Sequence, residues 1–403
     1  MVELHQSNRI PPNTWVVDLD TIAENARVLA KKAKDLGLRT YLMSKQHNRN
    51  PYINGVALAC GLEKMVAVDA QGVMAIRRYS LPLGHAGHLN QIPRGLVPTV
   101  VEMLPEVITL YNVEHARWVN DAAEKYGRIQ DVMVRIFSDK GLCFDGQEGG
   151  ILESELPAFA GEIRRLKHIR LSGVTAFPCV TYNESAEKKP ALTGNVKSLI
   201  SAADYLREAG FPVSQINTPG NTDCEVMELL QKAGATHVEP GNALLGTTPN
   251  HAFLPDRPER TAFAYLTEIS HLHKGRGFAY GGGVYHNNYS DRYYGLIGST
   301  WEEARENRVY YNHKIVQDID YHMQLVPENG QRCEPGDSVL FAYRTQMHMT
   351  RSYVAPISGI SGKRPLKVHY LFDNSVNAFD ENFNPISPEL VKEDLDQLIG
   401  SYA

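Results

Sequence analysis

The feature that most constrains the fold is an alternation. From about residue 40 to 250, eight short apolar runs suited to strands alternate with stretches suited to helices. The runs are 40–45 (TYLMSK), 64–69 (KMVAVD), 84–91 (GHAGHLNQ), 107–111 (VITLY), 132–137 (VMVRIF), 171–177 (LSGVTAF), 214–218 (SQINT) and 236–239 (THVE). After the fifth run, Leu152, Leu156, Phe159, Ile163 and Leu166 recur at steps of four, three, four and three, which lays one apolar stripe along a helix. Eight strands separated by helices fit a closed parallel (β/α)₈ barrel better than an open sheet.

One more strand and helix precede the barrel: TWVVDLD, then residues 21–36. Beyond about residue 260 the texture changes. The runs AYLTEISHLH, GFAYGGGVYH and DSVLFAYRTQMHMTRSYVAPISG alternate Tyr, Thr, Val and His with Gly and Pro turns, which reads as a mostly β domain. The expected organisation is a barrel over residues 14–255, counting its leading strand and helix, and a β-rich domain over 260–403. The leading strand is also suited to joining the β domain.

Barrels of this class present reactive groups at the C-terminal ends of their strands. The first end gives Lys45, directly after Tyr41-Leu42-Met43. A lysine leaving a buried strand is partly desolvated, which favours the neutral amine that condenses with an aldehyde. The seventh end reads Asn217-Thr218-Pro219-Gly220-Asn221-Thr222, small polar residues and a glycine opening a helix. Such a stretch offers N–H groups and hydroxyls to an anion. Its bland alternative is a helix cap with Thr222 at the N-cap position. The eighth end reads Glu239-Pro240-Gly241-Asn242. Two adjacent ends of this kind match the usual phosphate position of barrels. In the β region, Tyr280 stands against three glycines in AYGGG.

Together these residues resemble the alanine-racemase-like, fold-type III enzymes that use pyridoxal 5′-phosphate, and within them the YhfX-like group. WVVDLDTIAENARVL is similar to that family's opening. The resemblance implies Lys45 as the Schiff-base lysine and Asn217, Thr218, Gly241 and Asn242 around the phosphate, with Gly220, Asn221 and Thr222 of the same small-residue stretch as further candidates. Glu239 falls beside the pyridine nitrogen, where a carboxylate favours the protonated ring. Tyr280 falls where a partner subunit presents a catalytic tyrosine, implying a head-to-tail homodimer with shared active sites. His88 and Gln91, at the third strand end, are expected to line the cofactor. Arg344 and Gln147 are candidates for contact with the substrate.

The sequence also departs from alanine racemases. They set an arginine against the pyridine nitrogen where this chain has Glu239, in a context resembling the fold-type III decarboxylases. The GMxRLG-like loop arginine is missing from the stretch between Arg135 and Gly150, and Ala176 stands where a histidine often packs on the cofactor. The leading expectation is an amino-acid racemase or epimerase, with Lys45 and Tyr280 as acid/bases on opposite faces. The alternatives are a decarboxylase or lyase of the same fold, and a non-enzymatic carrier of the cofactor. The substrate is expected to be a small amino-acid-like molecule. No metal is expected: paired histidines such as His85 with His88, or His271 with His273, are more often hydrogen-bonded or surface residues.

A net charge of −5, with charged residues at 22%, gives no basic excess for nucleic acid or an anionic membrane. The polar N-terminus lacks the apolar core of a signal peptide, and no run is long enough to span a bilayer. Five scattered cysteines without a CxxC indicate neither a disulfide framework nor a thiolate zinc site. The expected location is the cytoplasm.

Overall fold

A computed structural model of the chain describes residues 1–138, 141–182, 189–253, 256–284, 292–312, 320–344 and 346–402. Tyr285, His286 and Thr345, within runs read above as strands, lie outside the described residues. The chain divides into two compact units. One comprises Met1–Ala23, Gln46–Val56 and Thr261–Ser401; the other comprises Glu24–Lys45, Ala57–Arg260 and Tyr402–Ala403.

In the second unit all eight expected strands are present: β2 (Arg39–Met43), β3 (Lys64–Ala67), β4 (Leu83–Ala86), β5 (Val107–Leu110), β6 (Gln130–Phe137), β7 (Ile169–Thr175), β8 (Gln215–Asn217) and β9 (His237–Val238). They follow one leading strand, β1 (Thr14–Asp18). Every neighbouring pair is parallel, and β9 returns to pair with β2, so the sheet closes. A parallel connection needs a crossover, which the intervening helices supply; of the stripe after β6, Leu156, Phe159 and Ile163 lie in the helix Leu156–Ile163, whereas Leu152 pairs beside β6 and Leu166 lies past the helix end. Strands β4 and β5 are buried along their whole length, as expected where helices cover the outside and side chains fill the inside.

The barrel interior follows from strand parity. Alternate side chains of a strand face the same way, so Tyr41 and Met43 of β2 meet Val66, Val107 and Met133 in one buried cluster. Extending the same parity toward the C-terminal ends selects Lys45, His85, Thr109, Arg135, Thr175, Asn217 and Glu239. The fold thus gathers the chemistry by spacing alone. Deeper down, Tyr41 donates to Gln215 Oε1 at 3.0 Å and its ring stacks on His237.

The first unit is a mostly antiparallel β structure. Its strands are β10 (Phe263–His273), β11 (Arg276–Tyr280), β12 (Arg292–Gly298), β13 (Arg308–Asn312), β14 (His322–Pro327), β15 (Ser338–Phe341) and β16 (Tyr353–Ser358), with shorter ones after them. Six of these close on themselves in the order β10-β11-β14-β13-β12-β15. The leading strand β1, grouped by sequence with the barrel, hydrogen-bonds here instead. It runs antiparallel to β10 and parallel to β16, and it buries Val16 against Leu266, Ala355 and Ile357. No helix among the described residues is long and apolar enough to cross a membrane.

Candidate functional site

The site is built from the C-terminal ends of the barrel strands. Lys45 follows β2 and opens a single 3₁₀ turn, Lys45–His47. Glu239 follows β9 and is almost wholly buried. Its Oε1 receives His85 Nδ1 at 2.8 Å and Asn217 Nδ2 at 2.7 Å. His85 is in turn held by Thr109 Oγ1 at 2.5 Å from its Nε2, and Asn217 by Thr175. His88 Nδ1 approaches Glu239 Oε2 at 3.2 Å without hydrogen-bond geometry. Oε2 is therefore a buried carboxylate oxygen with no hydrogen-bond partner among the described residues.

These contacts decide the charge. Burial by itself would raise the Glu239 carboxyl; the charge His88 carries when protonated and the hydrogen bonds from His85 and Asn217 outweigh it, and with His88 neutral those two hydrogen bonds are what keep the carboxylate ionised. His88 moves the other way: burial pushes its imidazole down to about 3, against the attraction of Glu239. At neutral pH the centre is an ionised carboxylate beside a neutral imidazole. Lys45 and Arg135 both act on His88 through their charge, which places them at the same end of the barrel.

At the two strand ends read as phosphate loops, the structure decides between a helix cap and a free side chain at Thr222. Thr222 is not the helix cap: Asp223 caps the helix Cys224–Lys232, accepting from the N–H groups of Glu225 and Val226. Thr222 Oγ1 is left buried without a partner among the described residues, and so is Asn242 Oδ1 on the neighbouring strand end. Gly220, at φ +140°, and Asn221, at φ +44°, turn the chain sharply between them. Successive N–H groups in such a turn form an anion-binding concavity. Thr218 is pinned to the His237 carbonyl through its N–H at 3.1 Å, so it braces the loop. Gly241 is buried beside Asn242. Two buried polar side chains and a turned backbone on adjacent strand ends fit a phosphate, and an unpartnered carboxylate oxygen at Glu239 fits a protonated ring nitrogen. The residues fit pyridoxal phosphate.

His85, His88 and Glu239 also place donor atoms within 4.8 Å of one another, a set that can hold a metal ion. Both ring nitrogens of His85 are already committed, to Glu239 and Thr109, so a metal would have to break one of those bonds. His271 and His273 lie exposed in β10, with His271 stacked on Phe278.

In the β unit, Tyr280 ends β11 with its side chain 41% exposed, while its carbonyl accepts from Thr267 Oγ1 at 2.6 Å. Arg344 lies beyond β15, which stops at Phe341, so it is not on a strand as its surroundings implied. Gln147, in the barrel unit, accepts from Arg135 through its backbone carbonyl at 2.6 Å. Gln91 accepts from the Tyr111 N–H. Sequence reasoning missed His85 as the partner of Glu239, and Arg135 with Tyr111 as a buried pair; strand parity is the signal that selects them.

Comparison with known proteins agrees with this fold. Residues 17–249 match the family model "Alanine racemase, N-terminal domain", and residues 264–366 match "YhfX-like, C-terminal domain". The chain is 39% identical to YhfX of Escherichia coli K12 over 366 residues, covering 90% of this chain and 92% of that protein. Among solved structures, D-threonine aldolase from Filomicrobium marinum is similar with a TM-score of 0.62 at 12% identity, over 91% of this chain and 95% of that one. D-threo-3-hydroxyaspartate dehydratase from Delftia sp. HT23 gives 0.64 at 13%, over 90% and 97%. Alanine racemase from Corynebacterium glutamicum gives 0.60 at 15%, over 82% and 89%. At such identities these three show the shared fold. The matched barrel and the long YhfX alignment show more: the chain belongs to the alanine racemase-like family, whose members bind pyridoxal phosphate, and carries the YhfX-like domain after its barrel.

Proposed function

We propose that the protein is a pyridoxal-phosphate-dependent racemase or epimerase acting at the Cα of a small amino-acid-like substrate. The observation that carries this reading is Glu239: a buried carboxylate, held ionised, with one oxygen left over at the end of the barrel where Lys45 emerges. Lys45 would hold the cofactor's aldehyde carbon. Glu239 would hold its ring nitrogen, and Thr222, Asn242 and the Gly220–Asn221 backbone its phosphate. When bound, the cofactor supplies an electron sink for the pair left at Cα after a proton departs.

The protein's own groups then divide the proton work. The Lys45 amine takes or returns the Cα proton on one face. The Tyr280 phenol, contributed by a second copy of the chain in a head-to-tail homodimer, serves the other. Its half-exposed side chain at a strand end supports that role. His85 and Asn217 keep Glu239 aligned and charged, and His88 stays neutral and leaves the carboxylate's charge uncancelled. A lyase or decarboxylase is the second reading, supported by the same ionised Glu239, because a strongly electron-withdrawing ring serves loss of a carbon group as well as loss of a proton.

Borohydride reduction of the purified protein followed by peptide mass spectrometry tests the base of this reading; the modified residue is expected to be Lys45. A panel of amino acids in deuterated buffer tests the reaction. The expected result is α-deuterium incorporation with inversion. The Y280F variant is expected to keep exchange on one enantiomer while inversion falls by about 10²-fold or more. Release of carbon dioxide or ammonia without inversion would favour the second reading.

A further inference from the structure

Arg135, in β6, is 1% exposed, yet no carboxylate lies within ion-pairing distance among the described residues. Its terminal nitrogens donate to two neutral acceptors, the Tyr111 hydroxyl at 2.5 Å and the Gln147 carbonyl at 2.6 Å. The guanidinium also lies 5.0 Å from the Tyr111 ring centroid. Arg135 Nε is buried with no partner at all among the described residues. A guanidinium does not give up its proton, so this is a full positive charge kept in neutral company. The Tyr111 hydroxyl accepts from Arg135, which leaves its own proton to donate, and no acceptor for it is found among the described residues.

The chain around this pair is shaped to reach it. After β6 it loops out and returns as Ile151–Leu152, parallel to Ile136–Phe137. Gly150 sits at φ +126°, and a Cβ there would come within 2.6 Å of the Arg135 carbonyl oxygen. A Cβ on Gly149 would stand 3.3 Å from the Tyr111 ring. The two glycines therefore let the loop backbone close over both residues. Gln91 fixes the other side by accepting from the Tyr111 N–H at 3.0 Å.

We infer that Arg135 and Tyr111 form an anion subsite that binds the carboxylate of a small organic acid, and that this is where the substrate's carboxylate docks. The identification of that acid as the substrate rests on the enzyme reading above; the subsite itself does not. A planar guanidinium paired with a hydroxyl donor suits a planar carboxylate, whose two oxygens take one hydrogen bond each.

The test is calorimetric titration of the full-length holoprotein with propionate, and with propionamide as the neutral control of the same size. Propionate is expected to bind and propionamide not. R135Q is expected to weaken propionate by about tenfold or more, and Y111F by about threefold or more. R135K, which keeps the charge but loses the planar fork, is expected to fall between wild type and R135Q. Should R135Q fail to melt cooperatively, Y111F and R135K decide the matter. Propionate affinity equal in wild type and all variants overturns the inference. So does loss of the bound cofactor from R135Q with propionate binding unchanged, which would assign the charge to the cofactor. Propionate held through Arg135 by a protein that borohydride modifies nowhere would keep the subsite and sink the enzyme reading.

Discussion

At the scale of single residues, the site turns on how one buried carboxylate is kept charged. A carboxyl in the dry interior ordinarily gains a proton, because desolvation penalises the ion. Glu239 avoids this with two donated hydrogen bonds, from His85 and Asn217. Glu239→Gln keeps the shape and the bond from Asn217 but cannot hold a proton on a ring nitrogen. It is expected to lower kcat by about 10²-fold or more while cofactor content, read from the visible absorption, stays close to one per chain. An unchanged kcat would reduce the carboxylate to a structural role. The positions of Lys45, Glu239 and the two small-residue loops at the barrel mouth were legible in the sequence because each ends a recognisable strand. His85 and Arg135 were not, because a buried histidine or arginine in a strand reads the same whether it serves a site or a core. Geometry alone can mislead in the other direction. In the β unit, Ser358, His369 and Asp394 stand in a hydrogen-bonded line of 2.9 and 2.8 Å, the pattern of a nucleophile with its base and orienting acid. Ser358 is only 3% exposed and the neighbouring Gly359 N–H is already taken by Asp20. With that N–H committed, the line is left without the oxyanion donor its neighbour would supply, and it reads as bracing of the β unit.

At the scale of elements, the alternation of strands and helices predicted the barrel because a βαβ crossover leaves an apolar period that is hard to mistake. The destination of β1 was harder to read. It is an apolar strand beside a helix, like the others, and only its partners, β10 and β16, distinguish it; those lie more than two hundred residues away in sequence. Arg344 was misread as a strand residue for a related reason: the apolar run that suggested a strand ends at Phe341. Inside the barrel, short strands pack so closely that one position tolerates no side chain. A Cβ on Gly84 of β4 would lie 2.6 Å from the Tyr41 ring, whose hydroxyl is committed to Gln215. Gly84→Ala must push that ring off its partner, and overpacking of this kind costs about 1–3 kcal/mol. A matching fall in the midpoint of denaturant unfolding is expected, with an unchanged slope. The companion variant Tyr41→Phe removes the hydroxyl without changing the clash, so a loss in the double variant no larger than in Gly84→Ala alone would show the two acting through the same contact.

At the scale of the whole molecule, the buried histidines act together. His5, His47, His88, His115, His237 and His369 all lie below the ordinary imidazole value, and in each the leading cause is burial. No described histidine with a resolved shift moves upward. For His47, His115 and His237 the folded value is about 4, and for His88 about 3. The unfolded chain titrates near 6.5. Below that pH the unfolded state takes up protons that the folded state refuses, so stability is complete above about pH 6.5 and falls as the pH drops toward the folded values. Each such histidine costs about 1.4 kcal/mol per pH unit once its unfolded form is protonated. Four of them together reach about 5.6 kcal/mol per pH unit, comparable to the whole stability of an ordinary domain. Buried carboxylates complicate the picture further down. Glu239 and Glu259 are lowered and add to the loss, whereas Asp18 and Asp223 are raised and oppose it. In the unfolded chain carboxyls titrate near 4 and imidazoles near 6.5, so proton uptake by the unfolded state between pH 6.5 and 5.5 is chiefly imidazole. Calorimetric melting across that window should show Tm falling steeply and unfolding coupled to proton uptake. His115→Gln, away from the site, should flatten the slope by about one proton. A Tm constant from pH 7 to 5.5 would mean that these imidazoles are protonated in the folded protein, and with them His88, which would cancel the charge of Glu239 on which the proposed chemistry rests.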